Sequence, residues 1–221
     1  MPRIWEGGEC WIIGGGPSVV QQFQIPTSVV EGVKNKTLPP STYSPYMEAL
    51  HDKHVIGVNM ALHIGDWIDM LFFGDPSFFD KNKEDIDSFP GLKITTANTK
   101  LIRAWPNIKI MERLPSIEKY GISTNPRALR WNTNSGGAAI NLAYHTGVKR
   151  IYLLGYDMSD GEAGTHWHQM YGLRKQSPHA RHEKCFPKIA KDAKELGIEI
   201  ININPNSRIT AFKKASLQDV L

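Results

Sequence analysis

Four histidines stand close together late in the chain, at His166, His168, His179 and His182. Histidine is the side chain whose ordinary pKa suits proton transfer near neutral pH. One of His182, His179 and His166 is therefore the candidate general base. His166 and His168 form half of a zinc-like pair, but no cysteine or second close pair completes a ligand set, so no metal site is assigned.

A second group of chemistry-bearing residues lies near the start. The run Trp11-Ile12-Ile13 ends in Gly14, Gly15, Gly16, Pro17 and Ser18. A strand that breaks into glycines, with Pro17 at the first helical position, offers backbone N–H groups and a positive helix end to an anion. The expected anion is a nucleotide phosphate. The same turn can also serve as a strand-to-helix connection with no ligand. No Gly-Lys-Ser/Thr follows, so this is not a Walker loop. Val19 stands where a dinucleotide fingerprint needs its third glycine, and Asn59 stands where an acid would hold the ribose.

A third group is NTNSGG, residues 132–137. Asn134 or Ser135 is a good N-cap for the helix expected after it. Gly136 and Gly137 then fall in the first turn, where glycine costs stability unless something approaches closely. Asp75 and Asp157 each follow a strongly apolar run. Either can bind a ribose or a metal, or can simply meet a helix N-terminus.

These residues need a scaffold that brings them together. Short continuous apolar runs recur at residues 10–13, 54–58, 70–73, 92–95, 108–111, 150–154 and 198–203. Continuous rather than alternating runs mark strands buried on both faces. Residues 135–146 and 186–196 have helical character, and each ends at a glycine. The expected fold is α/β, Rossmann-like, with a mainly parallel sheet and helices on both faces. Residues 1–221 are read as a single nucleotide-binding domain. Residues 26–45, with Pro26, Pro39, Pro40 and Pro45, are read as a long irregular loop or lid after the first helix. Residues 159–182 are read as a second such loop. Gly14 to Ser18, Asn59, Asp75 and Asp157 each follow an apolar run, which places them at the carboxyl edge of the sheet, where open α/β sheets bind ligands.

Composition narrows the function classes. The chain has 221 residues, 41% of them hydrophobic, and a net charge of +4 from well-mixed charges. It has no basic stripe for nucleic acid, and no run long enough to span a membrane. Two cysteines and no apolar leader fit a reducing, cytoplasmic setting. The expected partner is a small nucleotide ligand. Acceptor and oligomeric state are open.

The ordered motifs GGGPS, VNMA, FFGDPSFF, NSGGAAINLAYHTGVKRIYLLGYDM and NPNS resemble the bacterial sialyltransferases of glycosyltransferase family 42. They also resemble the related domain of motility accessory factors and the archaeal 6-hydroxymethylpterin diphosphokinases. The segment GYDMSDGEAGTHWH looks most like the accessory factors. The resemblance implies a Rossmann-like sheet and a CMP-sugar or other nucleotide-sugar donor. It implies donor contacts from Gly14 to Ser18, Asn59, Ser135 and Gly136, and a general base in the late loop, with His182 ahead of His179. The sialyltransferases also carry two tyrosines that stabilise the leaving phosphate. Here those positions fall near Ser159 and Thr165, and Tyr156 and Tyr171 are out of register. That departure counts against CMP-sialic acid specificity and leaves the nucleotide reading standing.

Three functions fit these residues. The first is a nucleotide-dependent, glycosyltransferase-like enzyme in which a histidine deprotonates the acceptor. Loop N–H groups, His166 or Arg174, or a metal on Asp75 or Asp157, would balance the leaving-group charge. The second is a diphosphokinase with magnesium-ATP on the two aspartates. The third is a non-catalytic nucleotide-binding module.

Overall fold

A computed structural model describes residues 1–114, 120–160, 165–168, 170 and 178–221. Its strands, in chain order, are β1 (Glu9–Ile13), β2 (Val55–Val58), β3 (Met70–Phe73), β4 (Leu92–Thr95), β5 (Ile108–Ile110), β6 (Glu112–Leu114), β7 (Ala128–Arg130), β8 (Arg150–Leu154), β9 (Glu199–Asn202) and β10 (Lys213–Lys214). Its α-helices are α1 (Ser18–Gln22), α2 (Thr27–Lys34), α3 (Pro76–Lys81), α4 (Lys83–Ser88), α5 (Lys100–Ala104), α6 (Ser135–Thr146), α7 (His179–His182) and α8 (Phe186–Glu195). Eight strands form one sheet in the order β10-β9-β8-β1-β2-β3-β4-β5, while β6 and β7 form a separate ribbon. Every pairing is parallel. This is the expected Rossmann-like α/β architecture.

Continuous apolar runs become strands here because the sheet has two covered faces. Trp11, Ile13, Leu71, Phe73 and Leu154 point into one core, with Val19, Val30, Phe79, Ile86 and Ile102 from α1 to α5. Their neighbours Cys10, Ile12, Met70, Phe72 and Leu153 point into the other, with Leu142 of α6 and Ile189 of α8. Strand side chains alternate between faces, so both parities must be apolar. Each such burial is worth about 1.5–3 kcal/mol against exposure.

Residues 26–45 are more regular than their composition implies. Thr27–Lys34 is helical and buries Val30 and Val33. A 3₁₀ segment, Pro40–Leu50, buries Tyr43, Met47 and Leu50. Pro26 immediately precedes the first of these and Pro40 opens the second. A proline at a helix start loses no hydrogen bond, so these prolines punctuate the segment without breaking it.

The order of the strands places the ligand crevice. From β1 the chain builds outward through β2, β3, β4 and β5, then returns to lay β8 on the opposite side of β1. The chain leaving β1 runs to α1 on one face and the chain leaving β8 runs on to α8 on the other, the switch point where open α/β sheets leave a crevice.

Candidate functional site

A cleft of about 550 Å³ opens at that point. Gly14, Gly15, Gly16, Asn59, Asp75, Asn134, Ser135, Gly136, Asp157, His166, His179 and His182 all line it. Residues far apart in sequence thus share one surface. Pro17 and Ser18 are the exceptions: both are buried and neither lines the cleft.

The glycine turn is shaped by its own chain. A Cβ on Gly16 would lie 1.7 Å from Asp157 Oδ2 and 2.6 Å from the Gly155 carbonyl. One on Gly14 would lie 2.9 Å from that same carbonyl. The N–H of Gly14 donates to the Leu154 carbonyl (2.8 Å) and that of Gly16 to the Gly155 carbonyl (2.9 Å). Two of the three glycines thus let the β1 turn press against the β8 turn. Pro17 is the N-cap, and α1 begins one residue later, at Ser18. The Ser18 N–H donates to Asp157 Oδ2 at 3.2 Å. The anion at the start of α1 is therefore the chain's own carboxylate, a favourable place for one.

Asp157 is only 3% exposed. Its Oδ1 accepts from Asn204 Nδ2. Burial raises its pKa, and the bonds from Ser18 and Asn204 oppose that rise. Both carboxylate oxygens are engaged, so Asp157 braces the two turns. Asp75, by contrast, is exposed on the cleft wall and makes no capping bond to α3.

The longest helix end at the cleft belongs to α6. Asn134 is its N-cap, and Oδ1 accepts from the Gly137 N–H at 2.6 Å. Ser135 and Gly136 form the first turn and line the cleft. The buried Tyr156 hydroxyl donates to the Gly136 carbonyl at 3.0 Å, fixing the β8 turn to this helix. Burial holds that phenol well above its ordinary pKa. A helix N-terminus opening on a cleft favours a bound anion.

Backbone strain collects around the same cleft. Asn59, Asn132, Thr133 and Met158 all have positive φ, at 53°, 57°, 58° and 54°. The left-handed conformation is disfavoured for a β-branched residue such as Thr133. The side-chain oxygens of Asn59 and Thr133 are buried with no hydrogen-bond partner among the described residues. Strained residues and unpaired acceptors tend to gather where a ligand binds.

The histidines arrive on two segments. Residues 165–168 lie across the glycine turn. The Trp167 N–H donates to the Gly15 carbonyl at 3.1 Å, and its indole Nε1 donates to the Gly14 carbonyl at 2.8 Å. Tyr43 closes the strap by donating to the Trp167 carbonyl at 3.4 Å. His166 then rests over Gly15, where a Cβ would come within 2.8 Å of its ring. His168 is buried at the cleft wall and accepts from the Met170 N–H at 3.0 Å. His179 and His182 sit on α7. His179 Nε2 lies 3.1 Å from Asp160 Oδ1, and His182 Nε2 lies 3.3 Å from an Arg181 guanidinium nitrogen. Arg174 and Tyr171 lie outside the described residues.

Sequence reasoning missed several cleft residues. Trp131 lines the outer wall with the Arg113 guanidinium 4.1 Å from its ring centre, and Gly74 has no Cβ because that indole fills the space. Phe78 and Lys81 of α3 complete that wall. The only signal for Trp131 was its position next to NTNSGG. Among the described residues, no three His, Cys, Asp or Glu side chains are placed to hold a metal ion. No described helix is long and apolar enough to cross a membrane. Both cysteines are free and buried.

No family model and no curated protein sequence matches the chain. Among solved structures, it is similar to the sialyltransferase CstII from Campylobacter jejuni in complex with cytidine-5'-monophosphate, described as a substrate analogue. The TM-score is 0.50 with 14% identity, covering 96% of this chain and 86% of that one. A second structure of that enzyme, with CMP-3FNeuAc, gives a TM-score of 0.49 and 14% identity over 98% and 86% of the two chains. At this identity the likeness establishes a shared fold.

Proposed function

We propose that this chain is a nucleotide-dependent transferase of the glycosyltransferase type, with a nucleotide-sugar donor and a histidine general base. The observation that carries the reading is convergence. The crevice at the β1/β8 switch point collects the N-terminus of α6, unpaired polar oxygens, backbone strain and the histidines. The donor's phosphate belongs at Ser135 and Gly136, where the helix end favours negative charge. Asn59 offers its side chain to the nucleoside. His182 removes the acceptor proton, and the acceptor oxygen attacks the anomeric carbon as the nucleotide phosphate departs. The fold shared with a sialyltransferase crystallised with CMP ligands supports this choice.

The magnesium-ATP reading needs both aspartates as metal ligands. Asp157 spends its carboxylate on Ser18 and Asn204, which argues against that pairing.

The test is thermal unfolding with CMP, CTP, UDP, ADP and ATP, each with and without magnesium. A ligand at 100 times its dissociation constant stabilises by about 2.7 kcal/mol. The transferase reading expects a metal-independent shift with a cytidine or uridine nucleotide. A shift that requires ATP and magnesium together overturns it.

A further inference from the structure

The segment Thr165-His166-Trp167-His168 has a geometry that the general-base reading does not use. Trp167 is 1% exposed and belongs to the core beneath the sheet's carboxyl edge. Its two neighbours line the cleft instead. Their ring centres are 5.1 Å apart. Three bonds hold the strap: Trp167 to the carbonyls of Gly14 and Gly15, and Tyr43 to the carbonyl of Trp167. The imidazoles are thus presented by a fixed backbone, not by a solvated tail.

The middle glycine points the same way. Gly14 and Gly16 are explained by the β8 turn, but the three atoms nearest to a Cβ on Gly15 all belong to the His166 ring. The turn is kept clear at this position for an imidazole. Meanwhile the N–H groups of Gly14, Gly16 and Ser18 are taken by the chain. A phosphate at the cleft therefore cannot draw on those three groups, and positive charge beyond that of the α6 N-terminus comes from side chains. Among the described residues, the charged and titratable groups facing the cleft around the pair are Asp75 and Lys81 at the two ends of α3, Tyr156 and Asp157 after β8, and His179, Arg181 and His182 on α7. Asp157 is turned toward Ser18 and Asn204.

We propose that His166 and His168 are a phosphate-binding imidazole pair, His166 holding the donor's phosphate as an imidazolium ion and His168, whose Nδ1 accepts from the Met170 N–H, donating as a neutral imidazole from Nε2, so that nucleotide affinity is set by protonation of His166. This rests on the nucleotide reading of the cleft. It assigns to histidines the leaving-phosphate contacts for which the family resemblance expects tyrosines. It also gives the strap a binding role distinct from proton removal by α7. Imidazolium donates charge-assisted hydrogen bonds to phosphate, and neutral imidazole loses the charge.

The test is calorimetric titration from pH 5.5 to 8.5 with the 5′-methyl phosphodiesters of cytidine, uridine and adenosine, and with the three parent nucleosides. A phosphodiester has no second ionisation in this range, unlike a phosphate monoester with its pKa near 6, so any pH dependence belongs to the protein. The expected result is phosphodiester binding that weakens on the order of tenfold or more as His166 deprotonates. Parent-nucleoside affinity should stay flat. His166→Gln should bind weakly at every pH and abolish the slope, and His168→Gln should weaken binding while keeping the slope. Phosphodiester binding that is pH-independent and unchanged in His166→Gln overturns the imidazole pair while leaving the nucleotide reading intact. If the folded protein binds no phosphodiester or nucleoside at any pH, the nucleotide reading fails and this proposal with it.

Discussion

Asn134 Nδ2 donates to the His182 carbonyl at 3.2 Å. The same side chain caps α6 through Oδ1 and also contacts Cys185 Sγ at 3.3 Å. One buried amide therefore fixes the distance between the proposed phosphate end of α6 and the α7 segment that carries the proposed base. Neither element holds the other through apolar packing alone, because α7 buries none of its residues.

Asn134→Ala should lower stability by about 1–2 kcal/mol, the usual cost of a lost cap. Asn134→Asp keeps an acceptor for Gly137 but has no donor for His182. Urea unfolding should therefore show a smaller loss for helix capping in the aspartate variant. Hydrogen exchange should show faster opening of residues 179–185 in both. If α7 exchanges unchanged in the two variants, Asn134 is a cap and nothing more.

Adjacent glycines should behave very differently. Gly16→Ala drives a Cβ into Asp157 Oδ2 and the Gly155 carbonyl, neither of which can yield without separating the two turns. A loss of several kcal/mol, or failure to fold, is expected. Gly15→Ala meets first the edge of the His166 ring, a side chain that can rotate. It should fold with a loss of about 1 kcal/mol or less, as for ordinary substitutions away from the core, and should weaken nucleotide binding. Equal stabilities for the two variants would contradict the packing described here.

That contrast also shows what the sequence could reveal. The glycine run marked the right place, because a strand that stops in glycines must meet something close. It did not reveal what: the contacting atoms of Gly155 and Asp157 lie in the turn after β8, a strand that becomes adjacent only through the crossover. The apolar runs of β1, β2, β3, β8 and β9 were legible because both parities of each strand face a core, while β4 and β5, partly exposed, gave weaker runs. β6, β7 and β10 were not legible: they are two or three residues long and, unlike β5, each carries a charged residue at an end or throughout and forms no apolar run. Trp167 reads as one aromatic in a polar loop, since its partner Gly14 is 153 residues away. The α2 segment was hidden by prolines that sit at helix starts. Asn134 was readable as a cap from local chemistry, but its bond to His182 was not.

Asp157 gives a pH prediction with a definite sign. Burial raises its pKa above the ordinary 3.8. The folded state then binds the proton more tightly than the unfolded chain, so this group's contribution is full below about pH 3.8 and is lost as pH rises through the folded value. Asp157→Asn removes the titration. The stability of the native protein relative to Asp157→Asn should therefore improve as pH falls from 7 towards 4, measured by urea unfolding at several pH values. A difference that stays constant, or moves the other way, shows that the hydrogen bonds from Ser18 and Asn204 outweigh desolvation.

The last prediction separates the two histidine segments by function. If His182 is the base, His182→Gln should lower turnover of a nucleotide-sugar donor by about 10²–10⁴-fold, while nucleotide affinity stays within about twofold, since the base acts on the acceptor and not on the donor's phosphate. His166→Gln should instead weaken nucleotide affinity. His179 is paired with Asp160 at 3.1 Å, and His179→Gln should have the smaller effect on turnover. Steady-state kinetics and calorimetry on the three variants give the readout. A turnover loss carried by His179→Gln with His182→Gln silent would move the base one helical turn back along α7. Loss of affinity in His182→Gln would put that residue at the phosphate and remove it from proton transfer.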